Sequence, residues 1–138
     1  MRKHWFRFLK STWGIFIEVT AEVDLQSIAP ANAWRASRRV FVQNTVLNKL
    51  LPEEVNYLFC GVQSIAHEIE SRTNPDKFVI LRITDLMFAV TDYQPEGLYC
   101  AIREWAGEEF GFKPSAIPID FNQSANQYIF TIPDPEAK

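Results

Sequence analysis

The chain has 138 residues, of which 47% are hydrophobic and 14% aromatic, and a formal net charge of −3. That length fits one domain, the apolar content supports an ordinary core and excludes disorder as the default state, and no stretch approaches the roughly 20 apolar residues that cross a bilayer. The charge is split: residues 1–50 hold eight Lys or Arg against three acidic side chains, a balance of +5, while residues 51–138 hold six against fourteen, a balance of −8.

Residues 1–10 interleave charges with Trp5, Phe6, Phe8 and Leu9. They lack the separate apolar run and small-residue cleavage site of a secretory signal, so a cytoplasmic protein is expected. Ile15 to Gln26 reads IFIEVTAEVDLQ and alternates apolar with mostly polar residues, Phe16 being the one apolar exception on the second face. Such a period of two predicts a strand with one face on a core and one towards water. Ser27 to Ser37, with Pro30 and many small residues, reads as a loop, and Val40 to Val46 as a second strand rich in β-branched residues.

Pro52, followed by Glu53 and Glu54, opens a helix of about five turns. Its stripe is Val55, Leu58, Phe59, Val62, Ile65, Ala66 and Ile69, and Asn74-Pro75 marks its end. Phe78 to Thr91 is one long β-type run, apolar on both faces in its first half, as expected of a central strand. Pro95 and Glu96 start a second helix with Leu98, Ala101, Ile102, Trp105, Ala106 and Phe110 inward, closed by a left-handed cap at Gly111. Ile117–Phe121 and Tyr128–Ile132 flank a polar stretch and predict a hairpin or bent strand pair, before a polar tail from Pro133. The fold class is therefore α+β, a two-layer α/β sandwich of order β-β-α-β-α-β-β. Both helices are expected on one face of a mixed sheet, with the other face open to solvent or a partner.

Two segments carry a resemblance. VFVQNTVLNKLLPEEVNYLFCGVQSIAHEIES (Val40–Ser71) and VILRITDLMFAVTDYQPEGLYCAIREWAGEEF (Val79–Phe110) resemble successive parts of domain IV of translation elongation factor G. The matching positions are the strand leading to a Pro-initiated helix, Thr84-Asp85, Thr91-Asp92, and Glu96 with Ala101 and Trp105 on the second helix. The resemblance covers about half the chain and implies a β-α-β-α arrangement shared with ribosomal and RNA-processing proteins. The family's glycine-containing turn is replaced here by Leu86-Met87-Phe88, and no G-x-x-x-x-G-K-[ST] occurs, which argues against a GTPase.

Catalytic patterns are sparse. His4 and His67 have no H-x-x-x-H or H-E-x-x-H spacing, and Cys60 and Cys100 form no C-x-x-C, so no metal or cofactor is expected. The cysteines read as reduced core residues. His67 lies two helical turns from Cys60, about 10 Å and out of reach. An enzyme assembled from Asp85, Asp92 and His67 has no spacing that suggests convergence.

Binding features are clearer. Glu104, Glu108 and Glu109 form an acidic strip on the second helix, either a docking face for a basic partner or a solvated helix face. Arg2 to Arg7 and the run Trp34, Arg35, Arg38, Arg39 mix cations with rings. That combination suits phosphates and stacked bases, a membrane surface, or packing of the rings under arginine stems. The leading expectation is a non-enzymatic protein-binding protein, such as a toxin-neutralising immunity protein or a complex-docking subunit, meeting its partner through Glu104, Glu108 and Glu109. The alternative is an RNA- or ribosome-associated domain contacting nucleic acid through Arg35, Arg38, Arg39 and Trp34.

Overall fold

A strand that alternates for a dozen residues must lie with one face on a core. In a computed structural model, which describes residues 1–44 and 49–133, strand β2 (Gly14–Gln26) does so. It pairs antiparallel with β1 (Arg2–Leu9) on one side and β5 (Phe78–Met87) on the other. Next to β5 runs β4 (Val40–Asn44), parallel to it, and β3 (Trp34–Arg35) closes the far edge, giving the order β1-β2-β5-β4-β3. Helix α1 (Pro52–Ser71) is the crossover between the parallel pair, and α2 (Glu96–Phe110) follows β5. The chain ends in an antiparallel hairpin, β6 (Ile119–Asn122) and β7 (Gln127–Phe130).

The expected α+β class and β-β-α-β-α-β-β order are present, with a mixed sheet and both helices on one face. Ile17, Val19 and Ala21 of β2, Val40 and Val42 of β4, and Val79, Leu81 and Ile83 of β5 point into that layer. They meet Leu58, Val62, Ile65 and Ile69 of α1 and Leu98, Ala101, Ile102 and Trp105 of α2. Each large apolar side chain buried there contributes about 1.5–3 kcal/mol. The αL cap also stands: Gly111 has φ 77°, and the N–H groups of Gly111 and Phe112 both reach Gly107 O at 2.9 Å.

Three differences have physical causes. Residues 2–9 form a full edge strand that the residue pattern hides, because its inward positions include Arg2 and His4. The strand expected to run to Thr91 stops at Met87. Between Ala21 paired with Ile83 and Thr20 paired with Asp85, Thr84 is an extra residue, and its hydroxyl donates to Thr20 O at 3.2 Å. This bulge returns Leu86 to the core side. Phe88 then stacks on Tyr93 at 3.8 Å and the chain turns through a 3-10 segment, Val90–Asp92. The loop expected over residues 27–37 contains the two-residue β3. The expected end of the second strand, Val46, lies outside the described residues.

Buried polar groups fasten the periphery. Arg39 is 8% exposed and donates to Glu70 O (2.6 Å), Lys77 O (2.8 Å) and Asn74 O (2.9 Å), so a cation closes the negative end of α1. The amide of Gln94 holds β7 like a borrowed strand edge: its Nε2 donates to Tyr128 O (2.9 Å) and its Oε1 accepts the Tyr128 N–H (2.6 Å). Tyr128 in turn donates its hydroxyl to Trp13 O and accepts the Lys10 N–H at 2.9 Å. The hairpin is thereby locked over the β1–β2 turn.

Gly61 sets the spacing of the two helices. A Cβ there would lie 2.5 Å from Ile102 Cγ2 and 2.9 Å from Tyr99 O. Alanine gains about 1 kcal/mol of helix propensity, but overpacking a fitted core costs about 1–3 kcal/mol. Gly61→Ala is therefore expected to lower the urea midpoint with an unchanged slope, a net loss of up to about 2 kcal/mol; a higher midpoint would contradict the close helix contact.

Candidate functional site

Among the described residues neither helix lies on the second face of the sheet, and its strands carry their outward side chains in registered rows. One row is Trp5, Glu18 and Met87, across β1, β2 and β5; beside it lie Arg7 and Phe16. The Trp5 indole N–H donates to the Glu18 carboxylate, which also pairs with Lys3 at 3.4 Å. The Arg7 guanidinium sits 5.0 Å from the Trp5 ring centroid and 5.3 Å from that of Phe16, and the two rings are 6.1 Å apart. Such contacts hold an aromatic in place while leaving it accessible. Trp5 remains 49% exposed and Met87 56%.

Further along, the same face becomes polar and self-satisfied. Arg82 binds Glu22 at 2.9 Å, Asp24 at 3.6 Å and Gln43 at 2.8 Å. Beyond it, Phe41 is covered by the Phe78 ring at 5.8 Å and the Arg35 guanidinium at 5.3 Å. The accessible apolar part is therefore confined to the β1 side. Phe16, the exception in the alternation of β2, is the sequence signal for it; the contribution of Met87 becomes visible only once the Thr84 bulge fixes its facing.

The acidic helix has a different setting from the one expected. Glu104, Glu108 and Glu109 are paired with side chains of β1 while remaining partly exposed. Arg2 reaches Glu109 at 3.0 Å and Glu108 at 3.6 Å, and His4 places Nε2 2.8 Å from Glu104 and Nδ1 2.6 Å from Glu108. Trp105 adds a hydrogen bond from its indole to Arg2 O at 2.9 Å. These carboxylates fasten the edge strand to α2.

The basic patch is dispersed. Arg39 is buried among carbonyls and is not available to a phosphate. Trp34 packs edge-on against Phe59 of α1 at 5.7 Å. Arg35 donates to Ser37 O and Arg38 O and lies over Phe41, yet Trp34, Arg35 and Arg38 all remain exposed. His67 is exposed on α1 while Asp85 faces outward from the opposite side of the sheet, so the scattered enzymatic set is not brought together. Among the described residues no group of three or more His, Cys, Asp or Glu is placed to hold a metal ion. Cys60 and Cys100 are both free; burial pushes the Cys100 thiol up to about 12 and raises that of Cys60 as well. No helix among the described residues is long and apolar enough to cross a membrane.

His4 titrates at the β1–α2 seam. Hydrogen bonding to Glu104 and the nearby charge of Glu108 raise its pKa above the ordinary 6.5, against the opposing effect of burial. A raised folded-state pKa means that its contribution is complete below about pH 6.5 and is lost as pH rises through the higher folded value. The difference in stability between the native chain and His4→Gln is expected to shrink over that interval in pH-dependent urea unfolding. A difference that stays constant or grows with pH would contradict the seam.

Comparison with family models, curated proteins and solved structures gives no match for this chain.

Proposed function

We propose that this is a non-enzymatic protein-binding protein, of the kind represented by toxin-neutralising immunity proteins and complex-docking subunits, and that it meets its partner on the uncovered sheet face around Trp5. The observation that carries this reading is a held but half-exposed tryptophan, grouped with Arg7, Phe16 and Met87 on a face no helix covers. Trp, Phe, Met and Arg are the side chains enriched where proteins dock, and a pre-positioned aromatic loses little freedom on binding. Charged neighbours such as Lys3 and Asp85 provide a polar margin. The docking surface thus moves from the acidic helix, whose carboxylates are engaged with β1, to the opposite side of that same strand.

The alternative role, an RNA- or ribosome-associated domain related in fold to domain IV of elongation factor G, would draw on Arg35, Arg38, Arg39 and Trp34. It is less favoured, since Arg39 is buried and bonded to main-chain carbonyls within the fold.

The test is site-specific photocrosslinking in an extract of the native host, with the reactive group at Trp5 and a control at Gln63 on the exposed side of α1. One protein is expected to crosslink from the Trp5 position, to persist after nuclease treatment, and to be lost when Arg7→Glu is added. Equal crosslinking from both positions, or products that disappear with nuclease, would overturn the reading.

A further inference from the structure

We propose that a cleft at the end of α2, built around Arg103, binds a small ligand carrying a phosphate group. Arg103 is only 5% exposed, yet no carboxylate pairs with it among the described residues. Glu104, its neighbour in sequence, points instead to His4. A buried cation without a counter-ion is unfavourable, so the groups around it are informative.

Those groups are positioned like a receptor. Arg103 Nη1 donates to Ser64 Oγ at 2.6 Å, and Nη2 donates to Ser115 O at 2.7 Å and Ser115 Oγ at 3.2 Å. A guanidinium has five N–H donors. Nε–H and the second Nη1–H have no acceptor among the described residues and stay free to donate, each on its own edge of the guanidinium. The Ser64 hydroxyl proton is already committed to Gly61 O at 2.6 Å, so Ser64 orients Arg103. Ser115 Oγ receives from Arg103 and keeps its own proton to donate.

Ser64, Glu68, Arg72, Arg103, Lys113 and Ser115 line a cavity of about 460 Å³. Arg103, Lys113 and Ser115 also border a second one of about 370 Å³, towards Phe6, Phe8 and Cys100. The volume lies within the usual range for small-molecule sites and leaves room beyond one phosphate. Three cations face one carboxylate here. Glu68 is the partner of Arg72, at 3.5 Å, and Arg72 also donates to Gly111 O at 3.2 Å. The surplus of about two positive charges matches a phosphate monoester, which carries about −1.5 to −2 near neutral pH. The first cavity draws no residue from the sheet face or the seam, while the second borders Arg7 and Glu104.

The experiment is a titration of the ¹⁵N-labelled chain with inorganic phosphate and with glycerol 3-phosphate, using chloride at matched ionic strength as reference. Saturable amide shifts are expected at Ser64, Arg103, Lys113 and Ser115, with the monoester binding at least as tightly as phosphate. Lys113→Ala, an exposed position, should keep the fold and weaken binding about tenfold, the scale of one charge-assisted contact. Arg103→Lys keeps the charge but removes the directed guanidinium donors, and should weaken it at least as much. Shifts that never saturate, that chloride reproduces, or that persist with unchanged affinity in Lys113→Ala would overturn the proposal. If Arg103→Lys does not fold, Lys113→Ala decides alone.

Discussion

Everything in this molecule depends on the two-sidedness of β2. Thirteen residues between β1 and β5 send Ile15, Ile17, Val19 and Ala21 to one side and Phe16, Glu18, Thr20, Glu22 and Asp24 to the other. Because the side-chain period of a strand is two, that assignment is all or nothing; a slip by one residue would exchange the faces. Both helices must therefore pack on the same side, and the opposite side is polar apart from the cluster near β1 and the covered Phe41, Phe78 and Ile80. The Thr84 bulge serves the same constraint. It resets the facing of β5 after Ile83, so that Leu86 still meets the core while Asp85 and Met87 stay outside.

Around that slab, peripheral pieces are held by polar side chains more than by area. Arg39 closes the end of α1, Gln94 and Tyr128 bind the terminal hairpin, and Arg2 with His4 tie the edge strand to α2. Each relies on the same principle: a buried hydrogen-bonding group is tolerated only when its partners are present, so its removal is more damaging than its presence is stabilising. The seam between β1 and α2 combines this with charge. It pairs the carboxylates of α2 with Arg2 and His4, and it holds the strand whose other side displays Trp5.

Much of the fold was legible in the residues. The alternation of β2, the stripes of both helices, Pro52 at a helix start and Gly111 at a helix end are local signals, and local signals survive without knowledge of distant contacts. What was not legible depends on partners far away in sequence. β1 hides its period because Arg2 and His4 occupy inward positions that only Glu104, Glu108 and Glu109, a hundred residues on, make acceptable. Arg39 resembles any surface arginine, since its acceptors are main-chain carbonyls without sequence character. The same holds for the candidate surfaces. Trp5, Arg7 and Phe16 were each visible singly, but their grouping with Met87 requires strand register, and the isolation of Arg103 requires knowing that Glu104 faces the other way.

The protein-binding reading comes down to whether the bare sheet face is used in its native setting. Hydroxyl-radical footprinting of the chain in native-host extract and in buffer examines this directly, because Trp5 and Met87 are both reactive and accessible while Trp34, 39% exposed on the helix side, is an internal reference. Docking on the sheet predicts that Trp5 and Met87 lose reactivity in extract while Trp34 does not. Unchanged reactivity of Trp5 and Met87, or protection of Trp34 alone, would contradict it.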